Sequence, residues 1–246
     1  MKNETMKKIK NEVAGFYELE GDAFGHTRHH VWELMLDFMS RLKNGDTLVD
    51  VGAGNARLLD VVPEGVNYVG IEPSSSLREF AASRLVSHEQ SKMMAGGFPK
   101  LELEDGIADA VTCIAVLHHV PGEADRKASV KELHRILKPG GSAIVSVWNL
   151  RAKRFLSWKM FKNAWLRIPG FLGGDKGDLY YIWKAGKTPR QRYVHAFTLR
   201  EFRSFFDEKD WDIEKIDGYD SKGWTNWFAG RNLVAVATKK IINNKL

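Results

Sequence analysis

The spacing of hydrophobic residues alternates along the chain between the period of a helix and the short apolar runs of buried strands. Residues 31–42 and 126–137 have apolar positions three and four apart, which predicts amphipathic helices. A glycine-containing turn follows each of them, as is typical of a helix end. The same pattern predicts strands at 47–51, 67–71, 110–117, 142–148, 211–216 and 232–238, and further helices starting at 56–62, over 75–85 and after the capping residue Thr198.

The predicted strands are apolar on both faces, and helices separate most of them. Such strands are typical of a parallel sheet that helices cover on both sides. The alternation stops at residue 149 and resumes after residue 197, and connections of this length usually carry functional elements. We therefore predict a single α/β domain with N-terminal helices at 1–45, a core at 46–148, an inserted segment at 149–197, and a C-terminal helix and strand hairpin at 198–240.

The composition is that of an ordinary globular protein and excludes several other classes. Of the 246 residues, 43% are hydrophobic and 28% are charged, which excludes a disordered chain. The most apolar segment, 110–117, is far shorter than the ~20 residues of a membrane-spanning helix, and the basic N-terminus lacks the apolar stretch of a secretory signal. The single cysteine, Cys113, excludes a disulfide framework and a cysteine-rich zinc site. These features predict a soluble, cytoplasmic protein.

Positive charge is concentrated in one part of the chain. The formal net charge is +6, but residues 151–203 contain 13 Lys and Arg against three acids, so this stretch carries +10 and the remainder is negative. The same stretch contains eleven Phe, Trp and Tyr residues. A basic segment with interleaved aromatics suits a nucleic acid, which offers phosphates and bases. A lid whose aromatics pack on the core while its charges are solvated explains this composition equally well.

A candidate binding site follows the first two predicted strands. The first strand runs into a turn containing Gly52 and Gly54, where the backbone can approach a ligand closely. Asp50 precedes this turn and would repel a pyrophosphate, so it suits a ligand that bears an ammonium group. Glu72 ends the next strand, 22 residues further on, where a carboxylate accepts hydrogen bonds from a ribose diol. An exposed acid in a turn is the alternative for Glu72.

These residues resemble the cofactor-binding motif of class I S-adenosylmethionine-dependent methyltransferases, and the resemblance continues along the core. Residues 101–119 are similar to the fourth motif of that fold, and residues 133–141 to the turn before its fifth strand. The resemblance implies a Rossmann-like sheet of seven strands with helices on both faces, the basic, aromatic insertion after the fifth strand, and S-adenosylmethionine as the cofactor. Gly97 stands where the family often has an acid that binds the adenine. The residues implied for the cofactor are Asp50, Gly52, Ala53 and Gly54 at the methionine portion, Glu72 and Pro73 at the ribose, Gly97 and Phe98 at the adenine, and Ala115 and Val116 beside the sulfonium.

Four further segments resemble one family within this class, the tRNA wobble-uridine carboxymethyl methyltransferases. Residues 24–32 (FGHTRHHVW) are similar to the pattern F-x-x-T-R-x-x-x-W, and residues 191–197 (QRYVHAF) to R-Y-Y-H-x-F, although Val194 replaces the second tyrosine. Residues 113–119 and 145–148 look like the same group. The resemblance implies methyl transfer to the carboxylate of 5-carboxymethyluridine in tRNA. It also implies a small activating protein partner, which eukaryotic relatives use.

The acceptor that this resemblance implies is itself the nucleophile. A carboxylate has a pKa of about 4 and is ionised at neutral pH, so no general base is needed. The site must instead place the carboxylate in line with the methyl group and supply a cation. Arg28 is the first choice for that catalytic role, because a guanidinium meets a carboxylate through two parallel bonds, and Arg192 and His195 are the second choices. The other residues expected near the acceptor are Thr27, Trp32, His118, His119, Trp148, Asn149 and Tyr193. Either of the two adjacent histidines is alternatively a catalytic base or the cap of the next turn.

Other interpretations use the same residues differently. A small-molecule methyltransferase would keep the core and use residues 149–197 as a hydrophobic lid, with a histidine as the base for a phenol or a carbon acid. A nucleic-acid-binding module that has lost catalysis would explain the lack of a third glycine after Gly54. His26, His29 and His30 invite a metal site, but no cysteine or acid cluster accompanies them, so we expect no metal.

Overall fold

The computed structural model describes residues 1, 3–26, 31–153, 174–183 and 190–241. Its helices are α1 (Asn3–His26), α2 (Glu33–Met39), α3 (Ser75–Leu85), α4 (Glu123–Ile136) and α5 (Leu199–Arg203), and short 3₁₀ turns lie at Arg57–Val61 and Leu117–His119. Its strands are β1 (Thr47–Val51), β2 (Asn67–Ile71), β3 (Ser91–Met94), β4 (Ala108–Ile114), β5 (Leu137–Trp148), β6 (Asp178–Trp183), β7 (Arg190–His195), β8 (Trp211–Asp220), β9 (Gly223–Thr225) and β10 (Asn232–Lys239).

Eight of these strands form one sheet in the order β3-β2-β1-β4-β5-β10-β8-β9. The first five strands in this order pair in parallel, and β10 runs antiparallel between β5 and β8. The predicted α/β architecture is confirmed. The sheet has eight strands rather than the seven expected, because the chain turns back after β8 and adds the three-residue strand β9 at the edge. The strands β6 and β7 form a separate antiparallel hairpin within the inserted segment.

Side chains on the central strands alternate into two hydrophobic cores, one on each face of the sheet. Leu48 and Val49 are adjacent and both fully buried, but Leu48 packs with α2 and the first 3₁₀ turn while Val49 packs with α4 and α5. Burying one such side chain stabilises a fold by about 1.5–3 kcal/mol. Burial on both faces confirms the prediction that helices cover the sheet on both sides.

Several boundaries differ from those that the hydrophobic pattern predicts. The strand β3 was not expected, because its sequence SKMM is half polar and lies at the sheet edge. The strand β5 begins at Leu137, since the segment 138–141 bulges out of the pairing with β4 instead of ending the ladder. The helix expected at 56–62 is a 3₁₀ turn that follows Ala56, a left-handed residue with a φ of 53°.

The longest described helix, α1, lies over one edge of the sheet. Its Ile9 and Phe16 are buried, and its Tyr17 contacts residues at the ends of the sheet strands. Charged residues interrupt its apolar positions. No helix among the described residues is long and apolar enough to cross a membrane.

The described flanks of the inserted segment are fixed to the same part of the fold. Arg151 donates from Nε to the carbonyl oxygen of Ala196 (3.0 Å), and Ala196 donates its N–H to the carbonyl oxygen of Gly177 (2.8 Å). The N–H of Lys153 donates to the carbonyl oxygen of Phe228 (2.7 Å). The residues just before 154 and those shortly after 173 are therefore held beside the end of β7.

Candidate active site

A cleft lies at the edge of the sheet where β1, β2, β4 and β5 end. Parallel strands bring their carboxyl ends to one edge, so the turns that follow them meet there. The helix α1 forms the opposite wall of the cleft through Val13 and Tyr17. The cleft continues past Pro73 and Val116 towards Gly97 and Phe98. Of the residues predicted for a cofactor, the structure brings Asp50, Gly52, Ala53, Gly54, Glu72, Pro73, Gly97, Phe98, Ala115 and Val116 to the wall of this continuous cleft.

The turn after β1 packs its backbone closely against the neighbouring strand ends. The N–H groups of Gly52 and Ala53 donate to the carbonyl oxygen of Ile71 (2.7 and 3.1 Å). Gly52 has a φ of +73°, and a Cβ added there would collide with the side chain of Val116. Any other residue at position 52 would therefore be unfavourable for two reasons: its backbone would have a positive φ, and its Cβ would collide with Val116. The turn exposes backbone rather than side chains to the cleft.

Asp50 is held rigidly at the base of the cleft. Its Oδ1 accepts a hydrogen bond from Thr112 Oγ1 (2.6 Å), and its Oδ2 accepts one from the Tyr68 hydroxyl (2.9 Å). Burial raises the pKa of the Asp50 carboxyl, and the two donors together with the nearby Arg57 oppose that rise. Each carboxylate oxygen retains a further lone pair for a ligand.

Glu72 is oriented by two backbone donors at the end of β2. Its Oε2 accepts from the N–H of Gly54 (3.0 Å) and its Oε1 from the N–H of Ser74 (3.0 Å). The side chain is only 5% exposed, and this burial raises its pKa to about 7 despite the two donors. An exposed acid in a turn, the alternative interpretation of Glu72, is wrong.

The residue that follows strand β4 has a left-handed backbone conformation and directs the chain into the cleft. Ala115 has a φ of 61°, and its N–H donates to the carbonyl oxygen and to Oγ of Ser146 (3.0 and 3.1 Å). An L-residue in this conformation costs about 1–2 kcal/mol, which the surrounding hydrogen bonds must offset. The conformation places Val116 against Gly52 in the cleft wall.

A chain of hydrogen bonds lies at the end of the cleft next to β5. The Nδ1 of His119 faces the carbonyl oxygen of Tyr193 (2.9 Å), so Nδ1 carries the proton, and Nε2 accepts from the Tyr17 hydroxyl (2.9 Å). Arg192 donates from Nη1 to the same hydroxyl (2.9 Å). The Arg192 guanidinium is buried with its carbon 4.6 Å from the ring centre of Trp148. A cation is thus linked, through Tyr17, to the cleft wall.

Trp148 and His118 occupy different positions with respect to the cleft. The Trp148 side chain lines it, and the backbone N–H of Trp148 donates to Nδ1 of His118 (3.3 Å). The two rings are tilted by 30° with centroids 4.8 Å apart. His118 is fully buried behind Trp148 and is not among the residues that line the cleft.

His195, expected as a second-choice cation for the acceptor, is not brought into the cleft lining. Its Nδ1 faces Asp178 Oδ1 at 2.6 Å and its Nε2 faces Glu201 Oε1 at 2.8 Å. Burial alone lowers the pKa of His195, but the hydrogen bonds to the two carboxylates outweigh burial, and the pKa is raised. Both ring nitrogens are therefore occupied by protein carboxylates rather than directed at a ligand.

Arg126 completes a buried ion cluster around His195. Its guanidinium is 1% exposed, lies 3.0 Å from Asp175 and reaches Asp178 and Glu201 at 3.8 Å. The Tyr193 hydroxyl donates to Asp178 Oδ1 (2.7 Å), so Tyr193, expected at the acceptor, also points away from the cleft. We call this group the ion cluster: Arg126, Asp175, Asp178, Tyr193, His195 and Glu201. It joins α4 and α5 to the hairpin of β6 and β7.

Two other residues expected at the acceptor have contacts elsewhere in the fold. Asn149 donates from Nδ2 to the carbonyl oxygens of Trp227 and Gly230 (2.9 Å for Gly230) and is buried. Trp32 stacks on Tyr219 with ring centroids 5.5 Å apart. Both side chains organise neighbouring segments rather than line the cleft. The expected residues Thr27 and Arg28, and the histidines 29 and 30, lie outside the described residues, as does the side chain of His26.

The wall formed by α1 was not predicted from the sequence. The spacing of Ile9, Val13 and Phe16 is a helical pattern that could have revealed a packed face. Nothing in that pattern shows that Tyr17 faces the cleft. Arg57, which also lines the cleft, was likewise missed. No group of three or more potential metal ligands is found in the described part of the chain.

Comparison with known proteins gives a consistent result. Residues 49–145 match a family described as a methyltransferase domain. The chain is 28% identical over 171 residues to the tRNA (carboxymethyluridine(34)-5-O)-methyltransferase ALKBH8 of Mus musculus, a match that covers 70% of this chain. The same match covers 23% of ALKBH8, so the chain spans about a quarter of that relative's length.

Solved structures share the fold at low sequence identity. A SAM-dependent methyltransferase from Methanosarcina mazei is 18% identical with a TM-score of 0.63, and the match covers 83% of this chain and 97% of that chain. A putative methyltransferase in complex with the Haloferax volcanii Trm112 methyltransferase activator is 18% identical with a TM-score of 0.64 and covers 94% of this chain and 99% of that chain. The likeness to these structures shows the fold.

Proposed function

Because residues 49–145 match a family described as a methyltransferase domain and lie in a sheet of the class I methyltransferase fold, we propose that this chain methylates the carboxylate of 5-carboxymethyluridine at the wobble position of tRNA. One observation carries the proposal: carboxylates line one part of the cleft, and a buried arginine is linked to the wall of another part. The first part suits a cationic cofactor, and the second suits an anionic acceptor.

The cleft fits S-adenosylmethionine. When bound, this cofactor supplies a methyl group on a positively charged sulfur. Glu72 has one free lone pair on each oxygen for a ribose diol, and Asp50 offers a negative charge to an ammonium group. In the turn after β1, a Cβ added at Gly54 would meet no heavy atom within 4 Å, so this glycine leaves open space beside its backbone. A Cβ added at Gly97 would make ordinary van der Waals contact with Pro73, at 3.8 Å or more, so a side chain is sterically tolerated where the family often places an acid.

The opposite end fits a carboxylate acceptor. The acceptor oxygen needs no base, and His119 is accordingly not required as one, since its two nitrogens are bonded to Tyr17 and to the Tyr193 carbonyl. Arg192 is buried and does not itself line the cleft, so it supplies its positive charge through Tyr17, which does. Its contacts with Trp148 and Tyr17 fix its orientation. Because this cation is already fixed in place, little free energy is needed to reorganise the site when the acceptor enters. We retain Arg28 as a second cation for the acceptor.

The transfer of labelled methyl groups tests this proposal. We expect label from S-adenosylmethionine to appear as a carboxymethyl ester on tRNA from cells that make the wobble carboxymethyl modification, and none on tRNA from cells that lack it. Nucleoside mass analysis identifies the product. The assay is run with and without a Trm112-type activator, since we propose that a small activating subunit binds this chain, as in the complex from Haloferax volcanii. Label on a free metabolite and on no tRNA would overturn the proposal.

The affinity for the cofactor is expected to depend on pH through Glu72. Its pKa of about 7 in the ligand-free protein means that the carboxylate is partly protonated at neutral pH. Because a diol donates best to the ionised form, the affinity should rise with pH and reach a plateau above about pH 8, with about tenfold weaker binding near pH 6. Calorimetric titration with S-adenosylhomocysteine measures this profile. The Glu72→Gln variant, which cannot ionise, is the control and should lose most of the pH dependence.

A further inference from the structure

Two large aromatic side chains are exposed side by side on the segment 226–231, which connects β9 to β10. Trp227 is 42% exposed and Phe228 is 39% exposed, and their ring centroids are 5.6 Å apart. Aromatic side chains of this size normally bury most of their area. An adjacent exposed pair is therefore a candidate contact surface.

The backbone of this segment is held in one conformation. Asn149 binds the carbonyl oxygens of Trp227 and Gly230, and Lys153 donates its N–H to the carbonyl oxygen of Phe228 (2.7 Å). The carbonyl oxygen of Asn226 accepts from the N–H groups of Ala229 and Gly230 (3.1 and 3.0 Å). Because the backbone is fixed, the two rings are presented without the entropy cost of ordering a loose loop.

The aromatic pair lies close to the acceptor end of the cleft and in a basic environment. Asn232 pairs with Trp148, so the segment 226–231 meets the same sheet edge on which the cleft opens. The two stretches that form this surface, 149–153 and 221–231, contain four basic residues and no acid. Of these basic side chains, those of Lys153, Lys222 and Arg231 are exposed. Arg231 follows Phe228 by three residues, and the backbone of Lys153 is hydrogen-bonded to that of Phe228.

We propose that Trp227 and Phe228 form a stacking platform for unpaired bases of an RNA strand next to the nucleotide in the cleft. This inference rests on the proposed function, because it assumes an RNA acceptor. Aromatic rings stack on any base, and flanking lysine and arginine side chains bind the phosphates that connect the bases. The basic residues of these two stretches make the surface complementary to a polyanion, and the flat bases of an unpaired RNA strand match the two rings.

The test compares RNA binding by the Trp227→Ala, Phe228→Ala and double variants with that of the wild type. The probe is a fluorescently labelled single-stranded RNA, with a duplex of the same sequence as the second ligand. We expect about tenfold weaker binding of the single strand for each ring removed, little change for the duplex, and partial recovery in Trp227→Phe. The slope of the logarithm of the binding constant against the logarithm of the salt concentration should be the same in the ring variants as in the wild type. In Lys153→Ala it should be smaller in magnitude by about one, because one phosphate contact is lost.

The controls separate this inference from the proposed function. Val86→Ala removes an exposed apolar side chain that follows α3, outside the cleft lining, and should leave RNA binding unchanged. Affinity for S-adenosylhomocysteine should be the same in all variants. Wild-type affinity of the double variant for single-stranded RNA would overturn the platform, even if the wild type methylates tRNA. Weakened RNA binding by the ring variants without methyl transfer by the wild type would overturn the proposed function alone.

Discussion

Replacing Arg126 by methionine should lower the free energy of unfolding by about 3–5 kcal/mol. The arginine is 1% exposed and faces Asp175, Asp178 and Glu201, so its loss removes the buried guanidinium that balances these carboxylates. Methionine keeps much of the volume, which confines the change to charge and hydrogen bonding. Chemical denaturation monitored by circular dichroism measures the effect.

The measurement is best made near pH 6. Because the pKa of His195 is raised in the folded state, its stabilising contribution is fully present below its unfolded pKa of about 6.5 and is lost as the pH rises through the folded value. Arg41→Met is the matched control: Arg41 also binds two carboxylates, Asp37 and Glu214, but it is 41% exposed. We expect the control to lose less than about 1 kcal/mol. Equal losses in the two variants would show that burial does not strengthen the ion cluster.

Replacing Arg192 by methionine should reduce kcat/KM for carboxymethyl-modified tRNA by about a hundredfold to a thousandfold. The proposed role of Arg192 is to hold the acceptor carboxylate together with Tyr17, and losing a buried charged partner costs about 2–5 kcal/mol. Arg192→Lys keeps the charge but loses the planar stacking on Trp148, so it should recover only part of the rate. Steady-state methyl transfer gives the rates.

A purely structural role of Arg192 would produce a different set of results. We expect the affinity for S-adenosylhomocysteine to change less than about threefold, because Glu72 and Asp50 remain in place. Arg190→Met, two residues away on β7, removes a half-exposed arginine that binds Glu20, and should change the rate less than about tenfold. A parallel loss of cofactor binding and stability in Arg192→Met, with unchanged turnover by the fraction that remains folded, would contradict the catalytic role.

The sequence predicted best those features that depend on neighbouring residues. The glycine turn after β1 and the position of Glu72 at the end of β2 follow from a strand, its turn and a fixed spacing, and the structure brings both to one cleft. The N-cap at Thr198 is likewise local, and its side chain accepts from the N–H of Glu201 as predicted.

The features that the sequence did not reveal depend on contacts between distant segments. Tyr17 meets His119 and Arg192 across more than one hundred residues of chain, and no local pattern specifies such a meeting. His195 shares a motif with Arg192, but the two residues are three positions apart on β7, so their side chains point to opposite faces of the hairpin. On its face, His195 is enclosed by carboxylates from β6 and α5.

A high content of aromatic residues is compatible both with packing in the core and with binding of a partner, and only the structure distinguishes the two. Of the aromatics counted in the basic stretch, Tyr193, Phe197 and Phe202 are buried in the fold and serve its packing. The exposed pair Trp227 and Phe228 lies outside that stretch altogether. Composition measures how many rings a segment has, whereas partner binding depends on which rings remain accessible.

The fixed flanks of the inserted segment have a consequence for how such a protein can diversify. With Arg151 and Gly177 both tied to Ala196, the two ends of the segment are anchored independently of what lies between them. Doubling the length of a loop between fixed ends costs only about 0.6 kcal/mol in closure entropy. Insertions or deletions between the two anchors should therefore cost little stability and leave the lining of the cleft in place. In evolutionary terms, this segment can vary in length while the sheet and its cleft stay the same.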